Sequence, residues 1–372
     1  MSKVRSNIPR FILSGGGTGG HLFPAIAIAN ALKERFENAE FLFVGARGKM
    51  EMEKVPASGY KIEGLNIAGL QRGSIVKNLT LPFKVISSLF KSYRILKKYK
   101  PSVSIGTGGY ASAPLLFMAS RMGLPTLIQE QNFFPGITNK ILASRVNTIC
   151  AVDESSSKYF PAEKMVVTGN PIRKNLLDIQ SKEVTDWQSK HNLNPEKATL
   201  FITGGSLGSE SINKAVEAFH KEWQNSGFNI VWQCGKNHIH KYKKYNQEGL
   251  AVFDFVDDMR LAYHTADLVL CRAGAITLAE LAALRKACIL IPSPYVAEDH
   301  QTKNAKAFAD KKAACMIEEK HMMQDLKSAE ENLLLSKEER SQLEQNMAQF
   351  DHPHALQSIV SEIIKLLPNG LN

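Results

Sequence analysis

The sequence predicts an α/β protein of two parallel-sheet domains, and two observations carry that prediction. Short apolar strands run into glycine-rich turns and then into stretches of helical spacing, and this order occurs twice in each half of the chain. Strands that alternate with helices build parallel sheets covered on both faces. The chain is also 372 residues long with 44% apolar residues, more than one hydrophobic core usually organises.

Residues 10–13 form the first strand, which enters Gly15-Gly16-Gly17-Thr18-Gly19-Gly20, and helical spacing follows over 24–36. Residues 103–105 lead to Gly106-Thr107-Gly108-Gly109, then a helix and the apolar strand 126–128. The second half repeats the grammar. Residues 199–203 enter Gly204-Gly205-Ser206-Leu207-Gly208 before a helix at 212–223, and 268–270 lead to Arg272-Ala273-Gly274-Ala275 before the strand 288–291. Two Rossmann-like domains follow from this, 1–170 and 171–351. The boundary falls at Gly169-Asn170-Pro171, where proline forbids helix continuation. An amphipathic helix over about 352–367 is expected to pack back on the first domain. Ligands of such sheets bind beyond the carboxyl ends of the strands, so both sets of glycine loops are expected to face a central cleft.

The five cysteines are scattered and contain no C-x-x-C pair, which argues against a disulfide framework or a cysteine zinc site and for a reducing compartment. No apolar run approaches the ~18 residues a membrane helix needs, so a cytoplasmic protein is expected. The net charge of +10 is unevenly placed. Residues 1–170 hold 22 Lys and Arg against 10 Asp and Glu, whereas 171–372 hold 24 against 26. Between Glu63 and Glu130 there is no acidic residue, while Arg72, Lys77, Lys84, Lys91, Arg94, Lys97, Lys98 and Lys100 lie within that gap. Such a patch selects an anionic partner, a lipid surface or a nucleic acid.

Glycines after a strand let the backbone approach a phosphate, and the following helix aims its N–H groups at the anion. Neither loop has the lysine and spacing of a Walker A motif. The strand 40–44 lacks the closing acidic residue of a dinucleotide site. The run from Arg272 to Glu280 opens a helix with small residues and suits a nucleotide, with backbone N–H groups and Thr277 for the diphosphate and Glu280 for two ribose hydroxyls. The same residues also fit a capping box of Thr277 with Glu280 three positions on. Gln301 reads either as a contact to a sugar hydroxyl or base or as a solvated helix start.

Together these strings resemble the MurG family, the lipid-linked N-acetylglucosaminyltransferases of peptidoglycan synthesis, which have the GT-B fold. The landmarks are the segment from Gly15 to His21 with Pro24, Gly106 to Tyr110 with Pro114, Glu130-Gln131-Asn132, Gly169-Asn170-Pro171-Ile172-Arg173, Gly204-Gly205-Ser206, Phe255-Val256-Asp257-Asp258-Met259, Arg272 to Glu280, and Gln301 with Asn304. The resemblance implies donor contacts to UDP-N-acetylglucosamine at Thr18, Gly19, Gly20, Asn132, Arg173, Ser206, Val256, Ala275, Ile276, Thr277, Leu278, Ala279, Glu280 and Gln301. It implies an undecaprenyl-pyrophosphoryl muramyl pentapeptide as acceptor, held by the first domain through its glycine loops, with Gly108, Gly109 and Tyr110. Val256 departs from the isoleucine common in the family, and Leu207 and Gly208 depart beside Ser206.

The family inverts the anomeric centre, so a single displacement with a general base is expected. His21 is the candidate base, with phosphate orientation or helix capping as its other reading, and Glu130 is the second candidate. No Asp-x-Asp pair is present, and neither a metal nor another cofactor is predicted. Leu79, Leu81, Phe83, Val85, Ile86, Leu89 and Phe90 interleave with Lys77, Lys84, Lys91 and Arg94. With the resemblance this predicts peripheral docking on an anionic membrane surface, at the cytoplasmic face of the inner membrane. The other meaning of that spacing is a core helix with a solvated basic face. Nucleic-acid binding is not expected, because no recognition element accompanies the charge. The competing functions are another GT-B enzyme, either a glycolipid glycosyltransferase or a UDP-N-acetylglucosamine 2-epimerase, and a non-catalytic nucleotide-sugar sensor at the membrane.

Overall fold

The computed structural model describes residues 8–69, 80–173 and 175–368. The described residues up to Ile172, with those from His352 onward, form one compact unit, and Arg173–Asp351 form the other.

In the first unit the elements are β1 (Arg10–Ser14), α1 (Gly19–Arg35), β2 (Glu40–Ala46), α2 (Glu51–Ala57), β3 (Lys61–Leu65), α3 (Leu81–Tyr99), β4 (Val103–Gly106), α4 (Ser112–Arg121), β5 (Thr126–Gln129), α5 (Ile137–Ala143), β6 (Thr148–Ala151) and β7 (Met165–Val167). The sheet order is β3-β2-β1-β4-β5-β6-β7, parallel throughout. Side chains alternate across a strand, so Phe11 and Leu13 pack with Leu22 and Ile28 on one face while Ile12 packs with Leu115, Leu116 and Leu96 on the other. Both faces are covered, which is why β1 reads as an unbroken apolar run.

The second unit contains α6 (Ser181–Lys190), β8 (Thr199–Thr203), α7 (Glu210–Asn225), β9 (Asn229–Gln233), β10 (Leu250–Phe253), α8 (Met259–Thr265), β11 (Leu268–Cys271), α9 (Ala275–Ala283), β12 (Cys288–Leu290), α10 (His300–Ala309), β13 (Cys315–Met316), α11 (Met322–Leu335) and α12 (Lys337–Met347). Its sheet runs β10-β9-β8-β11-β12-β13, again parallel. The last helix, α13 (Ala355–Lys365), returns to the first unit, where Ile359 and Ile363 join the cluster of Phe11, Leu13 and Leu22.

The order of strands reverses at β1/β4 and at β8/β11. In a doubly wound sheet that reversal opens a crevice at the carboxyl ends of the strands, so the loops 15–18, 107–111, 204–209 and 272–274 are where each unit can take a ligand. One boundary differs from expectation. Helix α1 starts at Gly19 rather than at residue 24, because Gly19 and Gly20 themselves take up the first turn with Thr18 as N-cap. This puts His21 inside that turn.

No helix among the described residues is long and apolar enough to cross a membrane. The five cysteines are all free thiols, and four are buried.

Candidate functional site

In the first unit the loops after β1 and β4 close around His21. Its Nδ1 lies 2.8 Å from Gln131 Oε1, and its carbonyl accepts the Thr107 hydroxyl at 2.7 Å. Gly108 lies against the imidazole: a Cβ there would stand 2.7 Å from Nδ1, and its φ of 97° also favours glycine. Gly109, at φ 81°, would drive a Cβ into the Gly16 carbonyl. These two glycines therefore let β4's loop touch β1's, and Gly108 sets the wall behind the His21 ring.

The 15–18 loop does not present all its amides outward. Glu51, at the start of α2 and fully buried, accepts the Gly17 N–H at 3.1 Å and the Ala46 N–H at 3.0 Å. The Gly17 amide is therefore satisfied from within. Tyr110 stands beside Gly17, and burial, with Glu51 nearby, raises its phenol above the ordinary value. Thr18 and Gly20 are exposed and Gly19 is half-buried.

Glu130 follows β5 and is buried. Its Oε1 accepts the Asn132 backbone N–H at 2.9 Å and the Asn132 side-chain amide at 3.0 Å. Its Oε2 accepts the Gly136 N–H at 3.1 Å and the Asn139 side chain at 2.8 Å. Four donors fill a carboxylate's lone-pair sites. Glu130 thus shapes the 130–139 loop and orients Asn132.

In the second unit α9 begins at Gly274, an extended N-cap with no side-chain cap, so Thr277 is the third helical residue rather than the cap. That geometry removes the capping-box alternative. The first-turn N–H groups of Ala275, Ile276 and Thr277 have no intrahelical carbonyl to bond. Leu278 is buried in the core and its N–H donates to the Gly274 carbonyl at 2.9 Å, while Ala279 is half-buried. Glu280 is 2% exposed; its Oε2 accepts the Tyr263 hydroxyl at 3.2 Å, and its Oε1 lies 3.2 Å from Arg173 Nε. The Arg173 pair is close without being aligned as a hydrogen bond, so Oε1 keeps an unfilled acceptor site. Burial pushes the Glu280 carboxyl up, against the opposing pull of Arg173 and of the Tyr263 hydrogen bond.

The surrounding loops are tied to one another. Arg272 reaches Ser209 Oγ at 2.6 Å, Ser211 Oγ at 3.0 Å and the Ile291 carbonyl at 3.1 Å, and pairs with Glu319. The Asn304 side chain holds the Ala273 carbonyl at 3.3 Å. Gln301 Oε1 accepts the Ser293 N–H at 2.8 Å, leaving its amide nitrogen for a ligand. Ser206 is exposed at the tip of its loop. Val256 is buried and its N–H goes to Gln233 Oε1 at 2.8 Å, so its carbonyl is the backbone group left for the implied donor contact. Gln233 also holds Thr203 and the Gly205 carbonyl.

Sequence reasoning missed Glu51, Tyr263, Gln233 and the part played by Gln131. A polar triplet at the end of an apolar strand pointed to Gln131, but nothing local marks the other three. Among the described residues no group of three or more His, Cys, Asp or Glu is placed to hold a metal ion.

Exposed apolar side chains concentrate on α3: Phe83 is 75% exposed, Ile86 65% and Phe90 63%. Ser88, Ser92, Ile95 and Leu96 form its buried face. The apolar residues therefore point outward at the helix start, while Ile95 and Leu96 tie its later turns into the core with Arg94, Lys97 and Lys98 exposed. Arg94 lies over the Phe90 ring and Lys97 over Tyr93, continuing the stripe with cations. Lys91 is instead held by the Gly64 carbonyl at 2.8 Å and by Glu63 at 3.3 Å. Arg72, Lys77 and Leu79 lie outside the described residues.

Comparison with known proteins matches residues 11–151 to the glycosyltransferase family 28 N-terminal domain and 199–364 to the glycosyltransferase family 28 C-terminal domain. A relative from Flavobacterium psychrophilum is 48% identical over 96% of this chain and 98% of its own length. One from Cytophaga hutchinsonii is 46% identical over 96% and 97%. Both are named UDP-N-acetylglucosamine--N-acetylmuramyl-(pentapeptide) pyrophosphoryl-undecaprenol N-acetylglucosamine transferase. Among solved structures, Acinetobacter baumannii MurG aligns with a TM-score of 0.77 at 28% identity, covering 96% of this chain and 99% of that one. The calicheamicin glycosyltransferase CalG4 aligns at 0.72 with 10% identity over 98% and 100%, a likeness of fold alone.

Proposed function

This chain belongs to glycosyltransferase family 28 and within it to the MurG family, and from that membership we propose the reaction and the roles of its residues. It is a GT-B glycosyltransferase that moves N-acetylglucosamine from UDP-N-acetylglucosamine to undecaprenyl-pyrophosphoryl muramyl pentapeptide, the lipid-linked step of peptidoglycan synthesis.

The observation that carries the donor assignment is the buried Glu280 beside the uncapped start of α9. The free N–H groups of Ala275, Ile276 and Thr277, at the positive end of the helix, suit a diphosphate, with Arg173 and Ser206 adding a cation and a hydroxyl. The open acceptor site on Glu280 suits the ribose hydroxyls. The Val256 carbonyl suits uracil, and the Gln301 amide suits the sugar. Thr18, Gly19 and Gly20 at the start of α1, and Asn132 after β5, rest on family resemblance alone. So does acceptor binding by Gly108, Gly109 and Tyr110.

In the single displacement the acceptor hydroxyl oxygen forms the new bond to the anomeric carbon while the bond to UDP breaks. UDP leaves with the bonding pair and the hydroxyl proton passes to His21. Glu130, with both oxygens filled, is a positioning group for Asn132 rather than a base. Positioned amides meet the charge that grows on the departing diphosphate.

The outward apolar stripe of α3, followed by Arg94 and Lys97, supports peripheral binding to an anionic bilayer at the cytoplasmic face.

The decisive experiment follows UDP release from UDP-N-acetylglucosamine with and without the lipid-linked acceptor. Release that requires the acceptor is expected. Release without it, accompanied by epimerised sugar, would replace the transferase reading.

A further inference from the structure

We propose that Gln131 sets the tautomer of His21, through a fixed chain of buried amides that ends on Asn170, and so leaves Nε2 as the proton-accepting atom. Its catalytic consequence rests on His21 being the base; its geometry does not.

The orientation of Gln131 follows from its neighbours. One end of its amide faces three acceptors: the Thr107 carbonyl at 2.8 Å, the Gln129 carbonyl at 3.0 Å and Gln129 Oε1 at 2.5 Å. Backbone carbonyls only accept, so the atom facing them is the amide nitrogen and the atom facing His21 is the oxygen. An amide oxygen has no proton to give. The 2.8 Å contact is therefore a hydrogen bond from His21 Nδ1–H to Gln131 Oε1.

The next amide is fixed in the same way. Asn170 donates from Nδ2 to the Gln131 carbonyl at 2.8 Å, so its Oδ1 is the atom that accepts Gln129 Nε2 at 2.9 Å. Gln129 also points Nε2 at the Glu130 carbonyl, 3.3 Å away. The chain thus runs in one direction, His21 to Gln131 to Gln129 to Asn170, anchored by carbonyls. Gln129, Gln131 and Asn170 are all buried, so water does not compete for these bonds. Turning any one amide over sets oxygen against oxygen in the interior.

A neutral imidazole carries one proton, and a partner on one nitrogen decides which atom holds it. With Nδ1 protonated, Nε2 has a free lone pair, and among the described residues no hydrogen bond occupies it. A histidine side chain free in water favours the opposite tautomer, with the proton on Nε2, and that atom then has no lone pair to act as a base. Gln131 is accordingly a positioning residue: it touches no reacting atom and acts through His21. The chain also ties the ring to the Gly169-Asn170-Pro171 segment, where the first unit ends.

The test uses the full chain labelled with ¹⁵N-histidine, at a pH where the ring is neutral, with the His21 signals assigned by their loss in His21→Asn. The expected spectrum has the proton on Nδ1. In Gln131→Met the proton should shift toward Nε2, with kcat down about ten- to a hundredfold, the worth of a hydrogen bond to a ring that becomes charged as it takes the proton. The donor KM should stay close to its wild-type value. Gln129→Met should move both readouts the same way by less. A wild-type spectrum with the proton on Nε2 overturns the proposal, even if no variant folds. So does a Gln131→Met enzyme with wild-type kcat, or one that loses UDP binding together with kcat, which would make the residue merely structural. Wild-type turnover by His21→Asn would instead remove His21 as base, while the spectrum still decides what Gln131 does.

Discussion

At the β1/β4 reversal the Gly17 amide is taken by the buried carboxylate of Glu51, and a histidine faces out of the first helical turn. At the β8/β11 reversal the start of α9, like that of α1, has no side-chain cap, and the buried carboxylate, Glu280, stands a turn and a half further along with an acceptor site open. The two regions share sheet order, strand direction and glycine turns. They differ in where a single carboxylate sits. Placed under the loop, it satisfies amides from within and stiffens a platform for His21. Placed along the helix, it has an acceptor site left over and can itself meet hydroxyl groups. Glycine loops at a reversal of strand order therefore give a place for a ligand, and the neighbouring carboxylate gives its kind.

The sharpest way to break this contrast is to remove one element from each side and read different constants. His21→Asn should lower kcat by on the order of 10²–10⁴, the usual worth of a general base, with donor KM nearly unchanged. Equal kcat in a steady-state assay of UDP release would show the first region to be a binding platform only. Glu280→Ala should act on the other constant. Two hydrogen bonds to an ionised carboxylate are worth about 3 kcal/mol together, so donor KM should rise on the order of 100-fold. Titration calorimetry with UDP would check this, and unchanged affinity would take the ribose away from Glu280.

The regions also differ in surface. Among the described residues it is the first that carries an apolar helix stripe ending in cations, and the excess positive charge lies in the same half of the sequence. Removing Arg94 and Lys97 costs about 2 kcal/mol of attraction to an anionic bilayer, so Arg94→Glu with Lys97→Glu should weaken vesicle binding by at least roughly 30-fold. Sedimentation with phosphatidylglycerol vesicles measures it, while turnover on a short-chain soluble acceptor should hold. Lys91 is the wrong residue for this purpose. Its bonds to Gly64 and Glu63 make reversal there a test of folding.

How much of this was legible depends on the distance over which each feature acts. Strand alternation and glycine turns are local, so the two parallel sheets and the loops at their carboxyl ends could be read directly. Residues 275–280 were also readable, since helix start, small side chains and carboxylate lie within one short run. The pairings that give those residues their roles were not. Glu51 meets Gly17 across β2, Tyr263 meets Glu280 across β11, and Gln131 meets His21 from 110 positions away. Parallel sheets join neighbours through crossovers, so side chains that touch carry no shared period in the sequence. Helix α1 was placed late because glycine's low helical propensity hid two residues that are helical here for the sake of the loop.

The smallest effect is a pH dependence carried by Glu280. Burial holds Glu280 above the ordinary carboxylate range, so between its unfolded and folded values the folded state binds more protons than the unfolded one. Stability then falls as pH rises through that window, because the slope follows protons bound in the unfolded state minus those bound in the folded state. A ligand that donates hydroxyl protons to the carboxylate favours its ionised form. UDP affinity should accordingly rise over the same window in which the free protein loses stability. Glu280→Gln should flatten both trends, read by thermal melts with and without UDP across mildly acidic pH. If both slopes survive the substitution, another group produces them, and the acceptor site on Glu280 is not what the nucleotide fills.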